Sequence, residues 1–118
     1  MSIEEGNRLI ADFMGGVYKQ HCWSFPGQKG YYPRFQLKYH SSWDWLMPVV
    51  ERIEEIEIRG MYMVIIEQQY CCIKHVAEGD LLLYETIAQE SVSKIDATWQ
   101  TVIKFVERCN ENNSSLQS

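Results

Sequence analysis

The chain has 118 residues, 46% hydrophobic and 13% aromatic, enough for one compact domain with a real core and too few for two. A net charge of −5 argues against general binding to nucleic acid through overall charge, and the longest strongly apolar run, residues 61–66, falls far short of the roughly 18 residues that a membrane span needs. The N-terminal MSIEEG is acidic and lacks the regions of a secretory signal, so the expectation is one α+β domain over residues 1–118, cytoplasmic and away from membranes.

Ser2-Ile3-Glu4-Glu5 has the S-x-x-E form of a capping box, which predicts a helix start. Leu9, Ile10, Phe13 and Met14 then follow on one helical face, and Gly15-Gly16 supplies the stop. Residues 17–23 read as a strand. From 24 to 40, Pro26, Gly27, Gly30 and Pro33 interrupt any regular structure, and a connection this long in a compact domain usually has a role. Ser41-Ser42-Trp43-Asp44 again has a capping pattern, and Leu46, Val49, Val50, Ile53 and Ile56 continue at helical spacing towards Gly60. Pro48 lacks the amide for an internal bond, so this second helix should bend there or begin its regular part nearer Trp45.

Residues 61–66 and 70–73 are β-rich and suggest an antiparallel hairpin, with a third strand at 81–87 after Gly79-Asp80. Apolar residues in succession point to burial on both sides. The fold expected is thus an α/β/α sandwich: a small antiparallel sheet of about three strands with helices on both faces. The strongest helical pattern is Ile95, Trp99, Val102, Ile103, Val106 and Cys109 within 91–110, leaving 110–118 as a frayed tail. Ile53, Ile65, Trp99 and Val102 are expected to share one core.

Several residues invite sharper chemistry. His40, Ser41, Ser42 and Asp44 carry the side chains of a hydrolase triad, but no G-x-S-x-G elbow accompanies them, and a helix cap accounts for the serines and the aspartate. A small enzyme using His40, Asp44 or His75 is the alternative, as is a purely structural oligomer. Cys22, Cys71, Cys72 and Cys109 contain no C-x-x-C pair, and neighbours in a strand point to opposite faces. Free structural thiols are therefore expected, with no metal and no cofactor. Trp43 and Trp45 lie about 200° apart around a helix and cannot share a face, so one should be core and the other surface or packed by the loop, and the area such rings bury favours the pair as core anchors.

The charge is unevenly spread. Residues 17–47 hold Lys19, Lys29, Arg34 and Lys38 against Asp44 alone, a local +3 that leaves −8 for the rest. Trp23, Phe25, Tyr31, Tyr32, Phe35 and Tyr39 interleave with those cations, combining stacking faces with positive charge. Either the segment folds its aromatics inward or it presents them. The candidate binding residues are Trp23, Lys29, Tyr31, Tyr32, Arg34 and Lys38, and the partner they suit is an acidic protein or single-stranded nucleic acid.

Three blocks, NRLIADFMGG at 7–16, YHSSWDWLMPVVERIE at 39–54 and SKIDATWQTVIKFVERCNE at 93–111, resemble small uncharacterised proteins encoded by phages and prophages of Bacteroides-type bacteria. More loosely they are similar to the phage ABA sandwich domain. The resemblance implies an α/β/α sandwich with an N-terminal helix, a hairpin and a C-terminal helix, and brings no activity or catalytic residue with it. The function expected is a non-enzymatic, phage-related accessory role in which residues 23–39 bind a macromolecular partner.

Overall fold

A computed structural model describes residues 2–57, 60–76 and 83–117. Helix α1 spans Ile3–Phe13, and the Glu5 amide donates to Ser2 Oγ at 3.2 Å, as the capping pattern predicts. It ends in a Schellman motif: Gly15 sits at φ +80°, its amide bonds the Asp12 carbonyl, and the Gly16 amide bonds the Ala11 carbonyl at 2.9 Å.

The next segment is more ordered than its composition suggests. Strands β1 (Val17–Lys19), β2 (Cys22–Ser24) and β3 (Tyr32–Pro33) form an antiparallel sheet in the order β1-β2-β3. The single strand expected at 17–23 is a hairpin, because Gln20 (φ 53°) and His21 (φ 66°) both take the left-handed conformation of a type I′ turn. Neither residue advertises that turn, which normally uses Asn and Gly. Pro33 fits because β3 is an edge strand and needs no outward amide. A 3-10 turn at Arg34–Gln36 completes the connection, so the expected long loop is partly regular.

Helix α2 spans Trp43–Glu54 with Ser42 at its N-cap position. The cap works through the backbone: Ser42 makes no side-chain cap bond, while its carbonyl accepts from the amides of Trp45 and Leu46. The helix continues through Pro48 and ends at Glu54, short of Gly60, which stands at φ 137° ahead of the next strand. Leu46, Val49, Val50 and Ile53 form its buried face.

A second antiparallel sheet contains β4 (Met61–Ile66), β5 (Tyr70–Val76) and β6 (Leu83–Glu90) in the order β4-β5-β6. The first two are paired from Met61↔Val76 to Ile66↔Cys71, and the third strand continues past the expected Ile87 to Glu90, while residues 81–82 of the expected strand lie outside the described ones. Helix α3 spans Lys94–Gln117. The Asp96 amide donates to Ser93 Oγ, and Ser91, Asp96 and Gln100 are joined by side-chain bonds that fix the first turn. The helix runs well beyond Asn110, so the tail expected to fray is helical as far as Gln117.

The α+β architecture is as the sequence predicts, with two small sheets in place of one. On the second sheet, Tyr62, Val64, Ile73 and Ile87 join the core with Ile10, Leu46, Ile53, Val102 and Phe105, so all three helices contribute on this face. The opposite face carries Met61 and Met63, 55% and 45% exposed, together with the buried Cys72. Alternation corrects one expected core residue: Ile65 is half-buried on this opposite face, whereas Ile53, Trp99 and Val102 share the core. Helices α1 and α3 meet closely at Gly6, where a Cβ would come within 2.6 Å of both Ile103 Cδ1 and Trp99 Cζ2.

Candidate functional site

The segment from β2 to the start of α2, called the strap below, is tied down by a buried amide. Asn7 is 2% exposed, and its Oδ1 accepts from Trp99 Nε1 at 2.9 Å, which orients the amide because an indole can only donate. Its Nδ2 then donates to the Leu37 carbonyl at 3.0 Å and lies 2.9 Å from His40 Nδ1. His40 Nδ1 is therefore an acceptor, and the ring proton sits on Nε2. One side chain of α1 thus joins both ends of the 37–40 stretch to α3.

Rings supply the rest of the strap's adhesion. Trp23 and Tyr39 are each only 4% exposed, and Trp23 stacks on Phe25 while Phe25 meets Tyr32 at 6.1 Å. Tyr32 and Tyr39 both contact Trp45 edge to face, each with centroids 5.2 Å away. Trp43 and Trp45 are both half-buried and packed on the core, the anchoring role expected of the pair, and rings of the strap pack on Trp45. The strap's irregular path brings these rings onto Trp45 from outside the helix.

The candidate binding residues divide accordingly. Trp23 is a core anchor and Tyr32 is half-buried, whereas Lys29, Tyr31, Arg34 and Lys38 are exposed. Tyr31 is 78% exposed and its neighbour Phe35, beyond the 3-10 turn's start, 75%.

Beneath the strap lies an open cleft of ≈ 790 Å³. Phe25, Tyr32, Tyr39 and Trp45 line it on the apolar side. Lys38, Asp44 and Arg52 supply two positive charges and one negative, with the amides of Gln28 and Gln36 between. Arg52 is held in place: Nε donates to the Phe13 carbonyl at 3.0 Å, and the guanidinium lies 5.5 Å from the Phe13 ring centre. Burial pushes the Tyr39 hydroxyl far above its ordinary value, so this phenol is neutral and available as a hydrogen-bonding group.

Trp45 and Arg52 were outside the residues the sequence marked for binding. A signal existed. Asp44, Pro48 and Arg52 recur at intervals of four, a line along α2 that faces away from Leu46, Val49 and Ile53, and all three line the cleft.

The residues of the enzymatic alternative have separate surroundings. His40 bonds Asn7 and meets Trp99 edge to face, Asp44 lines the cleft, and His75 stacks on Tyr62 at 4.3 Å in the second sheet. Among the described residues, no group of three or more His, Cys, Asp or Glu side chains gathers as metal ligands. The four cysteines are thiols outside any disulfide, with Cys71 and Cys72 buried. Burial raises the Cys71 thiol above its ordinary value, partly offset by hydrogen bonds with Thr101 and Thr98, so it is a poor nucleophile. No described helix is long and apolar enough to cross a membrane. The chain matches no family model, no curated protein and no solved structure.

Proposed function

We propose that this chain is a non-enzymatic, phage- or prophage-type accessory protein that holds an acidic macromolecular partner on the outer surface of the strap. The observation that carries the reading is the contrast within the strap: Trp23 and Tyr39 are buried, yet Tyr31 and Phe35 stand 78% and 75% exposed among the exposed Lys29, Arg34 and Lys38. Large rings left in water next to cations are what a partner with apolar or stacking groups and negative charge would use. The resemblance of the three sequence blocks supports the phage-type origin. The −8 carried by the rest of the chain would steer such a partner to this surface and repel it elsewhere.

The partner class follows from a titration of two probes, a labelled oligothymidylate and a glutamate-rich peptide, followed by fluorescence anisotropy at low and high salt. Binding of one of them, weakened by salt, is expected. Replacing Lys29, Arg34 and Lys38 together with Gln should weaken it roughly tenfold or more while leaving the melting temperature nearly unchanged, because exposed charges contribute little to stability. Failure of both probes to bind at low salt, or equal binding by the triple variant, overturns the reading.

A further inference from the structure

The cleft beneath the strap shares Lys38 with the outer surface but is otherwise a different feature, since Lys29, Tyr31, Arg34 and Phe35 do not line it. Its volume of ≈ 790 Å³ lies within the range of small-molecule sites, about 300–1,000 Å³. Three kinds of group converge there. Phe25, Tyr32 and Trp45 offer aromatic surface that remains half-exposed, suited to a planar ring. Lys38 and Arg52 outnumber Asp44, so the cleft attracts an anion, and the guanidinium of Arg52 is already oriented by its bond to Phe13 and needs no reorganisation to accept one. Asp44, at the first turn of α2, provides acceptors that would pair with ring N–H or amino donors.

A simple anion would use Lys38 and Arg52 but waste the aromatic wall, and a cation would find the wall but meet net positive charge. A ligand that satisfies all three joins a planar heterocycle with hydrogen-bond donors to an anionic group. We propose that this cleft is a binding site for a nucleoside monophosphate or a ligand of the same chemistry, its base against Phe25, Tyr32 and Trp45, its phosphate on Arg52 and Lys38, and its edge read by Asp44. The assignment goes beyond the proposed outer surface and stands whether or not a macromolecule binds there.

Titration calorimetry with the four nucleoside 5′-monophosphates, the corresponding nucleosides and inorganic phosphate tests it. Saturable binding of at least one monophosphate is expected, with nucleoside and phosphate alone much weaker. Arg52→Gln should weaken binding roughly ten- to a hundredfold, the loss of a charge-assisted hydrogen bond. Because Arg52 also supports Phe13, Lys38→Gln provides a second variant at an exposed position, expected to weaken binding while leaving the melting temperature unchanged. Asp44→Asn should change the preference among bases, and Lys29→Gln with Arg34→Gln, outside the cleft, should leave the affinity unaltered. No saturable binding of any monophosphate overturns the assignment, as does equal binding of inorganic phosphate alone, or affinity unmoved by both Arg52→Gln and Lys38→Gln.

Discussion

The second sheet and the strap are held by different means. The sheet is aliphatic and periodic: Ile73 and Val64 pack beneath Val102 and Phe105, and the Thr101 hydroxyl, donating to the Ala97 carbonyl at 2.7 Å, also lies 3.2 Å from the Cys71 carbonyl. The strap has short strands and little aliphatic burial apart from Leu37, and relies on ring contacts and on Asn7. Aliphatic layers bury area without direction, whereas rings and amides need particular geometry. The strap should therefore open locally at lower cost than the sheet, which suits a segment bearing both the exposed rings and the roof of the cleft.

The largest effect expected falls where the two regions join. Trp99 is 7% exposed, packs against Gly6 and donates to Asn7, so Trp99→Ala should cost about 3–5 kcal/mol in urea unfolding. Trp99→Phe separates the two regions. It keeps much of the packing but leaves the buried Asn7 Oδ1 without its donor, at roughly 1–3 kcal/mol. Hydrogen exchange should then quicken at residues 37–40 more than in β5. Equal acceleration in both would show that the strap and the sheet open as one unit.

How much of this contrast the sequence discloses depends on the same physics. The helices were legible because caps and apolar spacing are local: Ser2 and the face of Leu46, Val49 and Ile53 behave as written. The run Met61–Ile66 was harder, because six apolar residues in succession do not say which face is buried, and methionine tolerates either. The Gln20-His21 turn carries no Asn or Gly to reveal it. Of the candidate site, the mixture of rings and cations could be read, but not which rings turn inward. That choice is made by contacts such as Asn7 with Leu37 and Trp99, between residues remote in sequence. The line Asp44, Pro48 and Arg52 was the one local clue to the cleft.

Alkaline pH offers a smaller, graded comparison, since each region holds a weak acid whose proton burial retains. Burial raises Cys71 in the sheet and Tyr39 in the strap. A raised acid keeps its proton in the folded state while the unfolded chain loses it, so the unfolded state binds fewer protons and stability falls as pH rises. The contribution is whole below the unfolded value and is lost above it, starting near pH 9 for Cys71 and near pH 10 for Tyr39. Each group can reduce stability by at most about 1.4 kcal/mol per pH unit over its own window. Denaturation midpoints measured from pH 8 to 11 should bend downward in that order. Cys71→Ala should flatten the first limb and Tyr39→Phe the second; a profile unchanged by both variants would remove burial of these acids as the cause.

The smallest effect expected, and the only gain in stability, contrasts the two hairpin turns. Among the described residues, Gln20 and His21 are the non-glycine positions with positive φ, and the left-handed region costs most side chains roughly 1–2 kcal/mol each. Asparagine tolerates this region and glycine adopts it freely, although glycine's extra freedom in the unfolded chain offsets part of the benefit. Replacing Gln20 with Asn and His21 with Gly should thus raise stability by about 0.5–1 kcal/mol, a few degrees in melting temperature. The turn between β4 and β5 has no such strain: Gln68 and Gln69 are not among the positive-φ residues, and the Glu67 amide bonds the Tyr70 carbonyl at 2.8 Å. The same Asn-Gly pair placed at 68 and 69 should therefore stabilise nothing and, through glycine's entropy, cost a few tenths of a kcal/mol or more. If both replacements shift the melting temperature alike, turn strain does not distinguish the hairpin that leads into the strap from that of the second sheet, and any lower stability of the strap must come from its ring packing alone.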